Sequence, residues 1–295
     1  MPTFPPVTDT RPPALYTVLS LLPRNLISVV VGWIVRLRLP TPLARPLITS
    51  FVKFFGIDVS EAEMSLDSYS TIEDVFTRRL RPGLRPIDGA LVAPADGMWT
   101  YSAPVTNGTA LQVKGFAYPV SELVYGSEPV PRSELQAAWA MTFYLAPHNY
   151  HRVHVPISGT LEHVRYIPGD LWPVNETFVR LVPSLFTKNE RLVFRIRITG
   201  GGYVDAVMVG AFNVGRMTTP FLPDFASNTF RRGRPMRVAI DKPIAVGDEL
   251  GTFMLGSTVV LIFSDEACRR FRPIEVHEKR PSRMGERLTV APGES

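Results

Sequence analysis

A chain of 295 residues with 45% hydrophobic residues and 28 prolines is long enough for one sizeable core with an appendage, or for two small domains, and its composition suits a β-rich globular protein with many turns, not a disordered chain. Its single cysteine, Cys268, excludes an internal disulfide and a cysteine metal cluster. The 32 basic against 27 acidic residues leave a formal charge of +5, which suits an anionic membrane surface or a nucleic acid equally, so its location decides. Residues 1–13 form a polar, proline-rich lead-in without the basic n-region of a secretory signal. From 14 to about 56 three apolar segments follow, separated by Pro23 and by Pro40, Pro42 and Pro46, each long enough for a short helix. Within 1–56 the charges are Arg11, Arg24, Arg36, Arg38, Arg45 and Lys53 against Asp9 alone. The positive bias therefore lies where the chain is most hydrophobic, which points to a membrane surface and away from nucleic acid. The uncharged apolar run 25–35 is about half the ~20 residues that a spanning helix needs. Leu19, Leu22, Leu26, Val30 and Trp33 with Arg24, Arg36 and Arg38 fit helices lying in a membrane interface, apolar face down. A helical subdomain packed on the protein's own core is the other reading.

Ser70 with Glu73 three residues on is a capping-box pattern and predicts a helix over 70–80. Arg78, Arg79, Arg81 and Arg85 follow closely and fit either contact with lipid phosphate or a solvated basic face. Between about 91 and 263 the pattern is strands and turns, with strands predicted over 138–145, 159–167, 191–199, 203–212 and 249–263. Alternation over 192–198 predicts one buried and one wet face. Beyond Phe271 the chain, densely charged over 278–287, reads as an exposed tail. The expected architecture is α+β: an N-terminal helical membrane-association segment over 1–56, a β-rich catalytic domain over 57–265, and a C-terminal tail over 266–295.

The last predicted strand contains Leu255-Gly256-Ser257-Thr258, flanked by apolar residues on both sides. Ser257 is expected at a bend in a buried strand, where the glycine lets another group approach its carbonyl. Ser257 Oγ is the adjacent nucleophile for that carbonyl, although a plain Gly-Ser bulge fits the tetrapeptide as well. A serine alcohol at neutral pH is a poor nucleophile and needs a base. His154 is the candidate base, with Asp96 to orient its imidazole and stabilise the imidazolium. His151, three residues from His154, is on the opposite face if the strand is regular. His148-x2-His151-x2-His154 also has the look of a metal comb, but no nearby carboxylate or cysteine completes it, and no metal is expected.

Three segments carry a family resemblance: Pro94-Ala95-Asp96-Gly97, Tyr150-His151-Arg152-Val153-His154-Val155-Pro156, and Leu255-Gly256-Ser257-Thr258. Lesser matches are 76–87 with its Arg-Pro pair, Pro168-Gly169-Asp170-Leu171, Leu185-Phe186 with Asn189-Glu190-Arg191, and Val209-Gly210-Ala211 with Asn213-Val214-Gly215. In this order and spacing the chain resembles the long, bacterial and mitochondrial type of phosphatidylserine decarboxylase, a self-processed enzyme with a pyruvoyl prosthetic group. The resemblance covers most of residues 14–265.

That resemblance implies cleavage between Gly256 and Ser257, a large and a small subunit from one precursor, and a covalent pyruvoyl group made from Ser257. It assigns the base to His154 and its partner to Asp96. The pyruvoyl ketone would form a Schiff base with the substrate amine and accept electrons as CO2 leaves. His151 is the candidate for returning a proton to that carbon. The implied substrate is phosphatidylserine, converted to phosphatidylethanolamine by a homodimer bound peripherally to the cytoplasmic face of the membrane. Two alternatives stay open: a decarboxylase of the same fold acting on another serine lipid or an amino acid, and an unprocessed lipid-binding homologue. The chain departs from the family pattern at Ala146-Pro147-His148-Asn149, at Trp172-Pro173-Val174-Asn175 and in its extended C-terminal segment.

Overall fold

Pro23 and Pro40 cut the apolar N-terminal segment into α1 (Ala14–Leu21), α2 (Arg24–Ile34) and α3 (Thr41–Phe55), each proline standing just before a helix where its missing N–H costs nothing. Pro46, expected as a further divider, lies inside α3. The computed structural model describes residues 14–113, 116–130, 137–212, 216–229, 233–254 and 257–290; the lead-in over 1–13, Leu255, Gly256 and the segment 213–215 lie outside them. Ala44, Ile48 and Val52, one turn apart on α3, pack with Ile57, Tyr69 and Val75 into a small core of their own. The outward faces of the three helices remain apolar: Leu21 is 80% exposed, Trp33 56% and Phe54 81%, with Leu26, Val30, Leu43 and Leu47 around them. Among the described residues no helix is long and apolar enough to cross a membrane.

α4 (Ile72–Phe76) is shorter than expected, and its cap sits one residue later. Thr71 Oγ1 accepts from Asp74 N, and the Asp74 carboxylate accepts from Thr71 N, both at 3.0 Å. This register turns Val75 and Phe76 fully inward.

From here the chain runs β1 (Gly97–Pro104), β2 (Thr109–Val113), β3 (Phe116–Pro119), α5 (Val120–Tyr125), β4 (Ala137–Leu145), β5 (Arg152–His154) and β6 (Gly159–Ile167). It continues through α6 (Glu176–Leu181), α7 (Leu185–Lys188), β7 (Arg191–Ile198), β8 (Tyr203–Val209), β9 (Met217–Thr218) and β10 (Met236–Ile244). The last elements are β11 (Glu249–Phe253), β12 (Ser257–Ser264), α8 (Asp265–Phe271) and β13 (Arg280–Ser282). Eight strands form an antiparallel sheet in the order β10-β6-β7-β8-β12-β4-β1-β13, a three-stranded sheet runs β5-β11-β9, and β2 and β3 make a hairpin.

Both faces of the large sheet are covered, so β12, near its centre, is buried at every residue. Leu192, Phe194, Met208, Val259 and Leu261 point into the core shared with Val153 and Leu250 of the smaller sheet. Val193, Val207, Val260 and Ile262 point into a second core beside α5, α6 and α7. The wet face expected for 192–198 is therefore reduced to Arg197. Arg195 lies buried because Asp205, directly opposite on β8, takes its Nε and Nη2 at 2.8 and 2.7 Å.

The exposed tail expected beyond Phe271 is also corrected. β13 pairs with β1 in the register Gly97↔Ser282, and Leu288 is sealed in the main core. Part of the segment's dense charge is paired at the surface, Arg280 with Glu286 at 2.6 Å and Arg287 with Asp88 at 2.8 Å.

Candidate active site

The three motif segments converge at one end of the large sheet. Ser257 opens β12 opposite Leu145, and Met98 pairs with Tyr144, so Gly97 stands abreast of Leu145 on its other side. Ser257 and Gly97 are thus two strand spacings apart, about 10 Å. A Cβ at Gly97 would run into the Tyr144 carbonyl oxygen, so only glycine fits at the head of β1, next to Asp96. The histidine segment is laced to both neighbours: His154 N donates to Pro94 O at 2.8 Å, and Phe253 N, at the end of β11, donates to His151 O at 3.0 Å.

The two imidazoles have different surroundings. Burial alternates along 151–154, with His151 and Val153 sealed and Arg152 and His154 partly open, as strand periodicity predicts. His151 Nδ1 donates to Asn149 O at 2.9 Å, and its ring lies on Phe76 with centroids 4.0 Å apart. Its Nε2 has no hydrogen-bond partner among the described residues. Burial pulls its pKa down to about 3, helped by the nearby Arg78 charge, so the ring is neutral and Nε2 carries a lone pair. His154 Nδ1 donates to Gly247 O at 2.8 Å, which leaves Nε2 to accept from the Tyr150 hydroxyl at 3.0 Å. Burial lowers its pKa too, against the opposing pull of the Gly247 carbonyl and the Glu249 and Asp96 charges. The Tyr150 phenol is itself pushed up to about 12 by burial and stays a donor.

Asp96 does not make the hydrogen bond to His154 that the triad pattern anticipates. Its Oδ1 accepts from Arg85 Nε at 2.9 Å and from Met284 N at 2.9 Å, and its Oδ2 accepts from Arg85 Nη2 at 2.6 Å. The same guanidinium binds Glu61 at 2.6 Å. With Nδ1 of His154 already held by a carbonyl, Asp96 acts on that ring through its charge alone. Arg85, read from the sequence as a headgroup contact or a solvated cation, is the hub of this buried network, and Arg78 is buried as well; Arg79 and Arg81 are exposed. Sequence reasoning missed Glu61 and Met284, which lie outside every motif, whereas Tyr150 stood inside one.

Ser257 is fully buried, and its Oγ has no hydrogen-bond partner among the described residues. An unengaged hydroxyl at the head of a central strand is a nucleophile not tied up by structure. Gly256, the other half of the expected cleavage site, lies outside the described residues. Among the described residues no group of three or more His, Cys, Asp or Glu side chains is placed to hold a metal.

A family model for phosphatidylserine decarboxylase matches residues 72–290, a span that takes in Asp96, both histidines, Ser257 and β13. The chain belongs to the phosphatidylserine decarboxylase family. It is 38% identical over 275 residues to a phosphatidylserine decarboxylase proenzyme of Myxococcus xanthus (strain DK1622), covering 92% of this chain and 96% of that protein. A proenzyme of the same description from Anaeromyxobacter sp. (strain K) is 41% identical over 256 residues, covering 85% and 89%, and one from Acidovorax ebreus (strain TPSY) is 39% identical over 251 residues, covering 83% and 87%. The family match runs on past Phe271, in keeping with the packed C-terminal segment.

Proposed function

We propose that the protein is a self-processing decarboxylase that converts phosphatidylserine to phosphatidylethanolamine and CO2, with Ser257, His154, His151 and Asp96 as its working residues. The observation that carries this reading is the buried Ser257 Oγ at the head of β12, without a hydrogen-bond partner among the described residues, with two neutral imidazoles on the segment laced to the preceding β11. Ser257 Oγ attacks the Gly256 carbonyl carbon and its proton passes to a histidine Nε2; the peptide C–N bond breaks and the nitrogen takes a proton, leaving an ester. Loss of the proton on the α-carbon of residue 257 expels the Gly256 carboxylate from the β-carbon. Water then displaces ammonia from the dehydroalanine, which leaves a pyruvoyl group at the head of 257–295.

Burial of position 257 fits such a group, since a ketone needs no donor and is shielded from water there. The group supplies an electron sink for CO2 loss from an attached amino acid. His154 fits the processing base because Gly247 fixes the tautomer with its lone pair on Nε2. His151 is assigned the proton returned to the decarboxylated carbon. A second reading exchanges the two histidines, and the sealed, unpartnered Nε2 of His151 favours it. The exposed apolar faces of α1, α2 and α3, with Arg36, Arg38 and Arg45 near them, support seating on an anionic membrane surface, at the cytoplasmic face, with the homodimer following from the family resemblance.

The test is the denatured mass spectrum of the purified wild-type chain. Fragments ending at Gly256 and starting at residue 257, the latter lighter by one ammonia than a serine start, are expected; a single intact chain that leaves phosphatidylserine in micelles untouched would sink the proposal. Precursor accumulating in His154→Ala with maturation in His151→Ala supports the first assignment, and the reverse supports the exchange.

A further inference from the structure

α4 delivers three consecutive residues to the histidine segment. Phe76 lies on the His151 ring, Thr77 O accepts from Arg152 Nε at 3.0 Å, and Arg78 Nη2 donates to His148 O at 3.2 Å. Arg78 is only 4% exposed, and its Nε and Nη1 are sealed from solvent with no hydrogen-bond acceptor among the described residues. A guanidinium offers five N–H donors and cannot be discharged, so burying it without acceptors is costly. The acids around it are already engaged. Asp96 and Glu61 both bind Arg85, and Asp58 accepts from the Ser60 backbone and hydroxyl. Their surplus charge reaches Arg78 through space but leaves its Nε and Nη1 hydrogens without an acceptor among the described residues.

We infer that Arg78 is the subsite for the phosphodiester of the phospholipid headgroup, an inference that rests on the decarboxylase reading. Two oxygens of one anion match the fork of a guanidinium. A serine phospholipid offers two anions, and the carboxylate is the wrong one. It must leave as CO2, and holding it in an ion pair would stabilise the ground state and slow its loss. The phosphodiester passes unchanged from substrate to product.

The order of groups in space agrees. Phe51 of α3 meets Phe76 at 6.4 Å, Phe76 meets His151 at 4.0 Å, and the far side of α3 carries the exposed Leu43, Leu47 and Phe54. In a phospholipid the phosphate lies between acyl chains and amine, and Arg78 follows two residues after Phe76, the ring that lies between Phe51 of α3 and His151.

The experiment uses the full chain carrying Ser257→Ala, which stays uncleaved and cannot capture ligand covalently, and follows its melting temperature with soluble probes. Glycerophosphoethanolamine, a phosphodiester without a carboxylate, is expected to raise the melting temperature, and adding Arg78→Met is expected to abolish that rise. Arg78→Lys, which keeps the charge but loses the fork, should weaken the response and covers the case in which Arg78→Met does not fold. In the chain with Ser257 intact, Arg78→Lys should self-cleave as wild type while KM for dihexanoyl-phosphatidylserine rises about 10- to 100-fold with kcat little changed. L-Serine shifting the melt in place of the phosphodiester, inorganic phosphate alone doing so, or an Arg78→Met chain that responds like its parent would each overturn the inference. Failure of the decarboxylase reading would show separately, as an intact wild-type chain without turnover.

Discussion

Replacing Asp96 with asparagine tests whether the Arg85 network holds the site together. The carboxylate and guanidinium side chains are 10% and 6% exposed, and Asp96 accepts four hydrogen bonds, three from Arg85, with Nε shared between both oxygens, and one from Met284 N. Removing one partner from a buried ion pair costs about 3–5 kcal/mol. Asparagine keeps an oxygen for Met284 N, and Glu61 stays on Arg85, so the lower end, about 3 kcal/mol, is expected. For a chain of this size each kcal/mol moves the melting temperature by about 2–4 °C, which gives a drop of about 6–12 °C. The comparison belongs in a Ser257→Ala background, where both proteins are single chains and unfolding is unimolecular. A loss below about 1 kcal/mol would refute the claim that this pair is structurally important. With Ser257 restored, Asp96→Asn should accumulate precursor below its melting temperature, whereas Arg85→Met should lose similar stability yet still cleave if Asp96 has a charge role of its own.

His151 carries a pH signature. Its pKa is about 3 in the fold against about 6.5 unfolded, so below pH 6.5 the unfolded chain binds the extra proton and stability falls as pH drops. The stability advantage of the wild type over His151→Asn, measured by urea unfolding, should shrink by about 2 kcal/mol between pH 7 and pH 5. Glu190 has the opposite sign: burial raises its carboxyl to about 7, so Glu190→Gln should gain on the wild type as pH rises from 5 to 8. Trp33→Glu and Phe54→Glu, both on the outward helix faces, should weaken binding to anionic vesicles about tenfold or more each in a sedimentation assay while cleavage proceeds as in wild type. Truncation after residue 279 removes β13 and Leu288 and should give insoluble or unprocessed protein; soluble, mature enzyme would contradict the packing described for that segment.

Much of this molecule was legible because the signals were local. Pro23 and Pro40 mark helix starts through their missing donors, and hydrophobic runs such as 159–167 fixed strands to the residue. What misled were side chains whose partners are far away in sequence. Arg195 alternates like a solvent-facing residue but meets Asp205 across a hairpin, and the exposed charges of 278–287 mask the burial of Ser282, Met284 and Leu288 that comes with pairing to β1. The site shows the same division. Asp96, His151, His154 and Ser257 could be picked out by motif, but that Asp96 would bind Arg85 while Gly247 held His154 depends on backbone carbonyls and on Met284, which no spacing rule reaches.

The bond before Ser257 lies between β11 of the three-stranded sheet and β12 of the eight-stranded one. β12 lies between β8 and β4, and β13 closes the far edge on β1, so the segment that the proposed cleavage releases is woven through the rest of the chain at two separate places. Parting the fragments would mean dismantling both cores. Folding is a unimolecular event for the precursor, but for the matured molecule it is a reunion of two chains, and its rate falls with dilution. Once unfolded, the mature form has no direct way back at low concentration. Its lifetime is then set by how slowly the sheet opens, not by an equilibrium with an unfolded state.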